Sequence, residues 1–324
     1  MPGAHMSHTQ QFIDLYGVLS DRAGWFGPEP STRAVQALTL VLADRLDLID
    51  ALPQAQQDLR GHLKWFSNLR GTLGQSLIAL ALVKGVVPKA LPARVNQIYP
   101  QFKQHRIPTI GLWPTAAAAW LALEPAAASE GAIPRMSAIL TEWKKDHPWI
   151  TGHDDLHAAA LHALGDHSPV DVRTLVEDRM VALEDVVFSW APNNRQRVAQ
   201  LAALRPTVEA ADLAQRYNAL SEHLQSLGSR VSLLEREAMV LLASANGDPA
   251  TLARAYQSTR AQLSAMGGST WLPKNIQGVV AVGLVAADNG QDSLDAIAGS
   301  TLAAIIIALQ TAVIVASSSA AAAS

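Results

Sequence analysis

Short apolar cores recur along the chain at a nearly fixed interval. LVLA from Leu40, LALV from Leu80, WLAL from Trp120, LHAL from Leu161, LAAL from Leu201, LLAS from Leu241 and VGLVA from Val282 follow one another about every 40 residues, a period that marks helix-pair repeats. Each core belongs to an alanine- and leucine-rich first helix. A short polar or Pro/Gly break follows, then a second helix such as ARVNQIYPQFKQ from Ala93 or TLARAYQSTRAQL from Thr251. No run alternates apolar and polar residues between turns, as a half-buried strand would. The pattern predicts an all-α fold: one helical-repeat domain over 6–324, built of about seven antiparallel helix pairs as an α-solenoid or a closed α/α toroid. An open array needs polar caps, yet the run LAAIIIALQTAVIVA (302–316) is among the most apolar stretches of the chain. Either the ends close on each other, or a C-terminal helix over 301–316 packs against a second copy as a homo-oligomer interface.

The punctuation agrees with this frame. Pro92, Pro134, Pro169 and Pro249 fall where second helices should start, and a first-turn proline loses no helical hydrogen bond. Arginine recurs early in those helices (Arg94, Arg135, Arg173, Arg216, Arg254), which suggests surface or inter-repeat pairing. The loops ahead of the first helices carry tryptophan: Trp25, Trp65, Trp113, Trp149, Trp190 and Trp271. These loops should share one edge of the array. Their tryptophans would then either staple the following helix, an apolar residue ahead of the N-cap packing on the first turn, or form an aromatic rim around a groove. The first reading is preferred.

Composition narrows the partners. A formal charge of −3 with 16% charged residues gives no basic footprint for nucleic acid. The apolar run at 302–316 is shorter than the roughly 20 residues that span a bilayer, so it reads as a buried helix and no membrane partner is expected. Without cysteine there is no disulfide framework, thiol nucleophile or thiolate metal site, which suits a cytoplasmic protein. Residues 1–5 read as a tag remnant, with the natural chain starting at Met6. The G-x-S-x-G, G-x-x-x-x-G-K-[ST] and strand-linked G-x-G-x-x-G patterns are missing, and Gly267-Gly268-Ser269-Thr270 reads as a turn.

Candidate chemistry gathers in one stretch, WKKDHPWITGHDDLHAAALHAL from Trp143. Five of ten histidines (His147, His153, His157, His162, His167) lie within 21 residues, beside Asp154 and Asp155. On a continuous helix His153 and His157 would share a face, and Asp154 would occupy the general-base slot of H-E-x-x-H, so a divalent metal would be held by His153 and His157. However, Gly152 and the acidic pair start the helix only near 154, which leaves His153 in the loop and disfavours a metal. The preferred account is capping, in which Thr151, Asp154 or Asp155 accepts from first-turn amides, as Ser31, Thr115, Asn194, Ser232 and Asn275 would at equivalent positions. One cap needs one acid. The surplus makes His147, His153, Asp154 and Asp155 candidate acid–base residues, with Trp113, Trp149 and Thr151 lining a polar ligand site. For His157 and His162 ordinary burial or solvation suffices.

KWFSNLRGTLGQSLIALAL (Lys64 to Leu82), the central histidine stretch and the closing apolar run resemble three landmarks of a bacterial family, domain of unknown function 4003. Its central pattern falls on His147, Pro148, Ile150, Thr151, Asp154 and Asp155, and Ser67, Leu69 and Arg70 match another landmark. The resemblance implies one helical unit and no particular activity. It also suggests that Arg70 and the acidic pair face the same concave end, where an Arg–carboxylate contact would be strong. The leading expectation is a binding or scaffold protein with a protein partner or small polar ligand. The alternative is an enzyme, a hydrolase or lyase with those histidines and acids at the mouth of a toroid and Arg70 orienting an anionic group.

Overall fold

A computed structural model describes residues 6–23, 27–64, 67–186, 192–204, 208–268 and 271–289. Among these the chain is all-α: α1 (His8–Arg22), α2 (Pro30–Leu42), α3 (Leu52–Gly61), α4 (Thr72–Val83), α5 (Leu91–Gln104), α6 (Leu112–Ala122), α7 (Ala126–Asp146), α8 (Leu156–Leu164), α9 (Pro169–Ala182), α10 (Pro192–Ala203), α11 (Ala210–Ser226), α12 (Leu233–Ala243), α13 (Pro249–Ala265) and α14 (Lys274–Asp288), with no strand. None of the described helices is long and apolar enough to cross a membrane. The tag residues 1–5, Trp25, Trp65, Trp190, the 269–270 turn, the Asn275 side chain and the run 301–316 lie outside the described residues.

Two kinds of helix alternate. In α6 every residue from Pro114 to Ala122 is buried, and α4 and α12 are nearly as enclosed. A helix apolar all round must be surrounded, and alanine makes that close packing possible. The helices between them bury one stripe. In α5 this is Leu91, Val95, Ile98 and Phe102, and in α13 it is Leu252, Tyr256, Thr259 and Leu263, the three-to-four spacing of a half-buried helix.

Helix starts follow local chemistry in part. Pro92, Pro169 and Pro249 stand in first turns, and Ser168 and Ser232 cap their helices with Asp171 and Glu235 reaching back. Pro134 does not start a helix, because α7 begins eight residues earlier, where the alanine-rich AAASEGA favours helix. Pro134 and Glu130 are exposed, so water satisfies the carbonyl that the proline leaves free. Ser31, Thr115 and Asn194 sit inside their helices and do not cap them.

The helices gather into two compact units, residues 1–51 with 215–324 and residues 52–214. In unit 1, α14 packs against α12, α13, α1 and α2. The N-terminal helices are tied in by His8 Nδ1 to Asp288 Oδ1 at 2.5 Å and by Tyr16 donating its hydroxyl to the Trp271 carbonyl at 3.2 Å. The seven cores of the sequence pattern do not include α1, which lies ahead of the first of them. In unit 2, α5 packs on α6, α7 on α8 and α9 on α10, while α6 lies along α8 and α7 along α9.

The recurrent arginines reach across to helix C-termini. Arg94 of α5 donates to the Glu124 carbonyl beyond α6, Arg135 of α7 to the His167 carbonyl beyond α8, and Arg216 of α11 to the carbonyls of Ala243, Ala245 and Gly247 at the end of α12. A cation there answers both the unpaired carbonyls and the negative end of the helix dipole. Arg173 pairs with Asp146, and Arg179, a residue the sequence pattern did not mark, donates to the Val208 carbonyl. Arg254 donates to Thr251 within its own helix.

Candidate functional site

In unit 2 the starts of four helices lie side by side. Asn68, just ahead of α4, donates to the Gly111 carbonyl and to Thr115 Oγ1 at the start of α6, both at 3.0 Å. Gly111 adopts φ +112°, a conformation that strains any residue with a Cβ. Trp113 in the first turn of α6 stacks on His157 in the first turn of α8, with centroids 5.1 Å apart. Gln196, Arg197 and Gln200 of α10 reach the residues that open α8. These contacts hold the segments that open α4, α6 and α8 and the first turns of α10 next to one another.

The stretch ahead of α8 is a 3-10 turn, His153–Asp155, so His153 and His157 do not share one helical face. Asp155 is buried. Its Oδ2 accepts from the Gly152 amide at 2.7 Å, and its Oδ1 accepts from Gln200 Nε2 at 2.8 Å and Gln196 Nε2 at 3.4 Å. This is the reach-back half of a capping box. Burial pushes the Asp155 carboxyl up to about 6, against the opposing hydrogen bonds from Gly152 and Gln200. Thr151, also buried, caps nothing; its hydroxyl accepts from Gln196 Nε2 at 3.2 Å. Asp154 is half-buried and pairs with Arg197 at 3.3 Å.

The histidines disperse. His147 Nε2 donates to Glu177 of α9 at 2.7 Å, so its ring serves a different contact from the acidic pair. His153 is exposed. His157 and His162 are buried, and desolvation holds both imidazoles down to about 4. His162 donates Nε2–H to the Gln200 carbonyl at 3.0 Å, which fixes its neutral tautomer, and it meets Trp143 edge-on. Among the described residues no three His, Asp or Glu side chains converge as a metal site would need. Arg70 donates to the Leu63 carbonyl at 3.2 Å, and Arg197 pairs with Asp154 at 3.3 Å.

Trp149 departs from the stapling expectation: it is 95% exposed and does not pack on the helix it precedes, while Trp271 is 54% exposed. Trp113 lies inside α6, half-buried against His157. Ile110, in the loop before α6, is 86% exposed. Ile110, ahead of α6, and Trp149, ahead of α8, are the two most exposed large apolar side chains among the described residues.

Two partner groups escaped the sequence reading. Gln196 and Gln200 lie more than 40 residues beyond Asp155, the acid they bind, and no spacing rule marks an amide as a carboxylate partner. In unit 1, buried Glu235 accepts from Arg260 at 3.1 Å, from the Tyr256 hydroxyl at 3.3 Å and from the Ser232 amide. A Cβ added at Gly278 would lie 1.7 Å from its Oε1. The S-x-x-E capping-box pattern was a visible signal for Glu235.

Comparison with known families matches residues 15–318 to the family described as "Protein of unknown function (DUF4003)". No curated protein and no solved structure matches the chain.

Proposed function

We propose that this chain, which belongs to the family matched over residues 15–318, is a binding or scaffold module of bacterial cytoplasm that engages a protein through the loop edge of unit 2. Trp149 carries this reading. An indole exposes on the order of 150–250 Å², which at about 25 cal/mol per Å² leaves roughly 4–6 kcal/mol of burial unused. The candidate acids support the same reading because their oxygens are turned inward: Asp155 to Gly152, Gln196 and Gln200, and Asp154 to Arg197.

The scaffold is read as a repeat of helix pairs. Arg94 to Glu124, Arg135 to His167 and Arg216 to Ala245 join residues 30, 32 and 29 apart in the same way, as repeated units would. The packing of α1 and α2 on α14 favours an array whose ends meet. The test is a photo-crosslinking amino acid at position 149 in the full chain, expressed in its native cell. The reading expects one captured protein whose complex, rebuilt from purified components, is lost with Trp149→Ala. A captured protein that binds the Ala variant equally well would sink it.

A hydrolase or lyase is the second reading, favoured by one observation: the Asp155 carboxyl, at about 6, is suited to acid–base work near neutral pH. That reading expects Asp155→Asn to abolish turnover while the fold is retained.

A further inference from the structure

The turn between α12 and α13 in unit 1 holds an Asn-Gly pair, Asn246-Gly247, and both residues are exposed. Gly247 adopts φ +110°, a conformation that residues with a Cβ rarely take, so the turn itself calls for glycine there. Asparagine is a chemically labile residue, and a following glycine leaves the next peptide nitrogen unshielded from its side-chain amide. Among the described residues nothing accepts from the Gly247 N–H, and the Asn246 side chain is held by no hydrogen bond. Arg216 brackets this peptide, since its Nη2 donates to the Ala245 carbonyl at 2.6 Å and to the Gly247 carbonyl at 2.9 Å. A cation so placed favours an anionic nitrogen between the two carbonyls. The adjacent acid, Asp248, is engaged with the start of α13, where it accepts from the Thr251 amide at 3.0 Å.

We propose that Asn246 is a site of spontaneous modification, where the exposed and unheld side-chain amide is converted to isoaspartate and the Arg216 clamp on the end of α12 is opened. The Gly247 nitrogen, having lost its proton to hydroxide, attacks Asn246 Cγ. The new N–Cγ bond closes a succinimide ring, the Cγ–Nδ2 bond breaks, and the amide nitrogen leaves as ammonia with a proton from water. Water then opens the ring. Cleavage of the bond to Cγ gives aspartate, and cleavage of the bond to the main-chain carbonyl gives isoaspartate. In isoaspartate the main chain runs through Cβ and Cγ, which inserts an extra atom between the Ala245 and Gly247 carbonyls that Nη2 holds together. The same dipeptide recurs at Asn289-Gly290, and the structure separates the two asparagines. Asn289 is half-buried and its Nδ2 donates to the Val285 carbonyl at 2.8 Å, a bond that must break before the side chain can turn to react. The dipeptide alone predicts equal rates, whereas the geometry puts Asn246 first.

Peptide mapping of the full chain aged in heavy-oxygen water, native and in urea, tests this. In the native chain the label should enter at Asn246 roughly fivefold or more faster than at Asn289, the factor that one hydrogen bond is worth. Urea should bring the two rates together. Uptake at Asn289 that equals or exceeds uptake at Asn246 in the native chain, or an undiminished difference in urea, would overturn the site. Hydrogen exchange over Leu242 to Ala245 reads the clamp. Protection there should fall in the isoaspartate fraction and stay near wild type in Asn246→Asp, which carries the same charge on a main chain of ordinary length. Unchanged protection in the isoaspartate fraction would overturn the opening of the clamp, and equal loss in both would assign the effect to charge and overturn the role of lengthening.

Discussion

Burial moves Asp155 up to about 6 and His157 and His162 down to about 4, and these shifts act on stability with opposite sign. A carboxyl with a raised folded pKa takes its proton first in the native chain, so its contribution is complete below about pH 4 and is lost as pH rises through 6. The imidazoles take theirs first in the unfolded chain, so their contribution is complete above about pH 6.5 and is lost as pH falls towards 4. Two imidazoles outweigh one carboxyl. Urea unfolding is expected to show stability falling by about 1.4 kcal/mol per pH unit between roughly pH 6 and 4.5. In Asp155→Asn that slope should about double, and an unchanged slope would mean that Asp155 does not titrate there. In unit 1, Gly278→Ala drives a Cβ into Glu235 and should cost about 1–3 kcal/mol, as overpacking does, read as a lower urea midpoint. At this scale the crowding of histidine and acid was legible, because it is a property of position. Their fates were not: Asp155 is enclosed by amides 41 and 45 residues away, and His147 is drawn off by Glu177.

The alanine-rich helices were legible as elements, since a segment apolar on every side has to be enclosed. Helix starts were less so. Pro134 looked like a start, yet the helix-forming residues before it carry α7 back to Ala126. Trp149 sits ahead of its helix as a staple requires but turns outward, and Trp113 lies inside α6 against His157, neither of which the local motif reveals. The arginine signature was legible as a set of pairing residues, without its targets. Arg216 meets three carbonyls at 2.6–2.9 Å. Arg216→Ala should therefore destabilise by about 2–3 kcal/mol, the range for charge-assisted hydrogen bonds. Arg216→Lys should recover little of this, because an ammonium cannot spread over three acceptors as the guanidinium fork does. Thermal unfolding of both variants checks this, and full recovery by lysine would contradict the clamp.

At the scale of the molecule, residues distant in sequence share unit 1: α1 and α2 complete the packing of α14. Periodic cores made a helical protein legible, but α1 carries none of them and its place beside α14 follows only from contacts. The hydrogen bond to Asp288 and that carboxylate's charge raise the His8 pKa, so this tie is at full strength below about pH 6.5 and is lost as pH rises through the folded pKa. Hydrogen exchange of α1 amides should accelerate in His8→Ala at low pH, with the difference from wild type shrinking under alkaline conditions. The central claim is that what this chain offers to others lies on its exposed edge, while the acids beneath it hold α8 and α10 together. The most direct test compares complex formation, with the protein captured at position 149, for Trp149→Ala and Asp155→Asn, each verified as folded. Binding lost in Trp149→Ala and retained in Asp155→Asn is the predicted result. Binding retained in Trp149→Ala and lost in a folded Asp155→Asn would contradict the account.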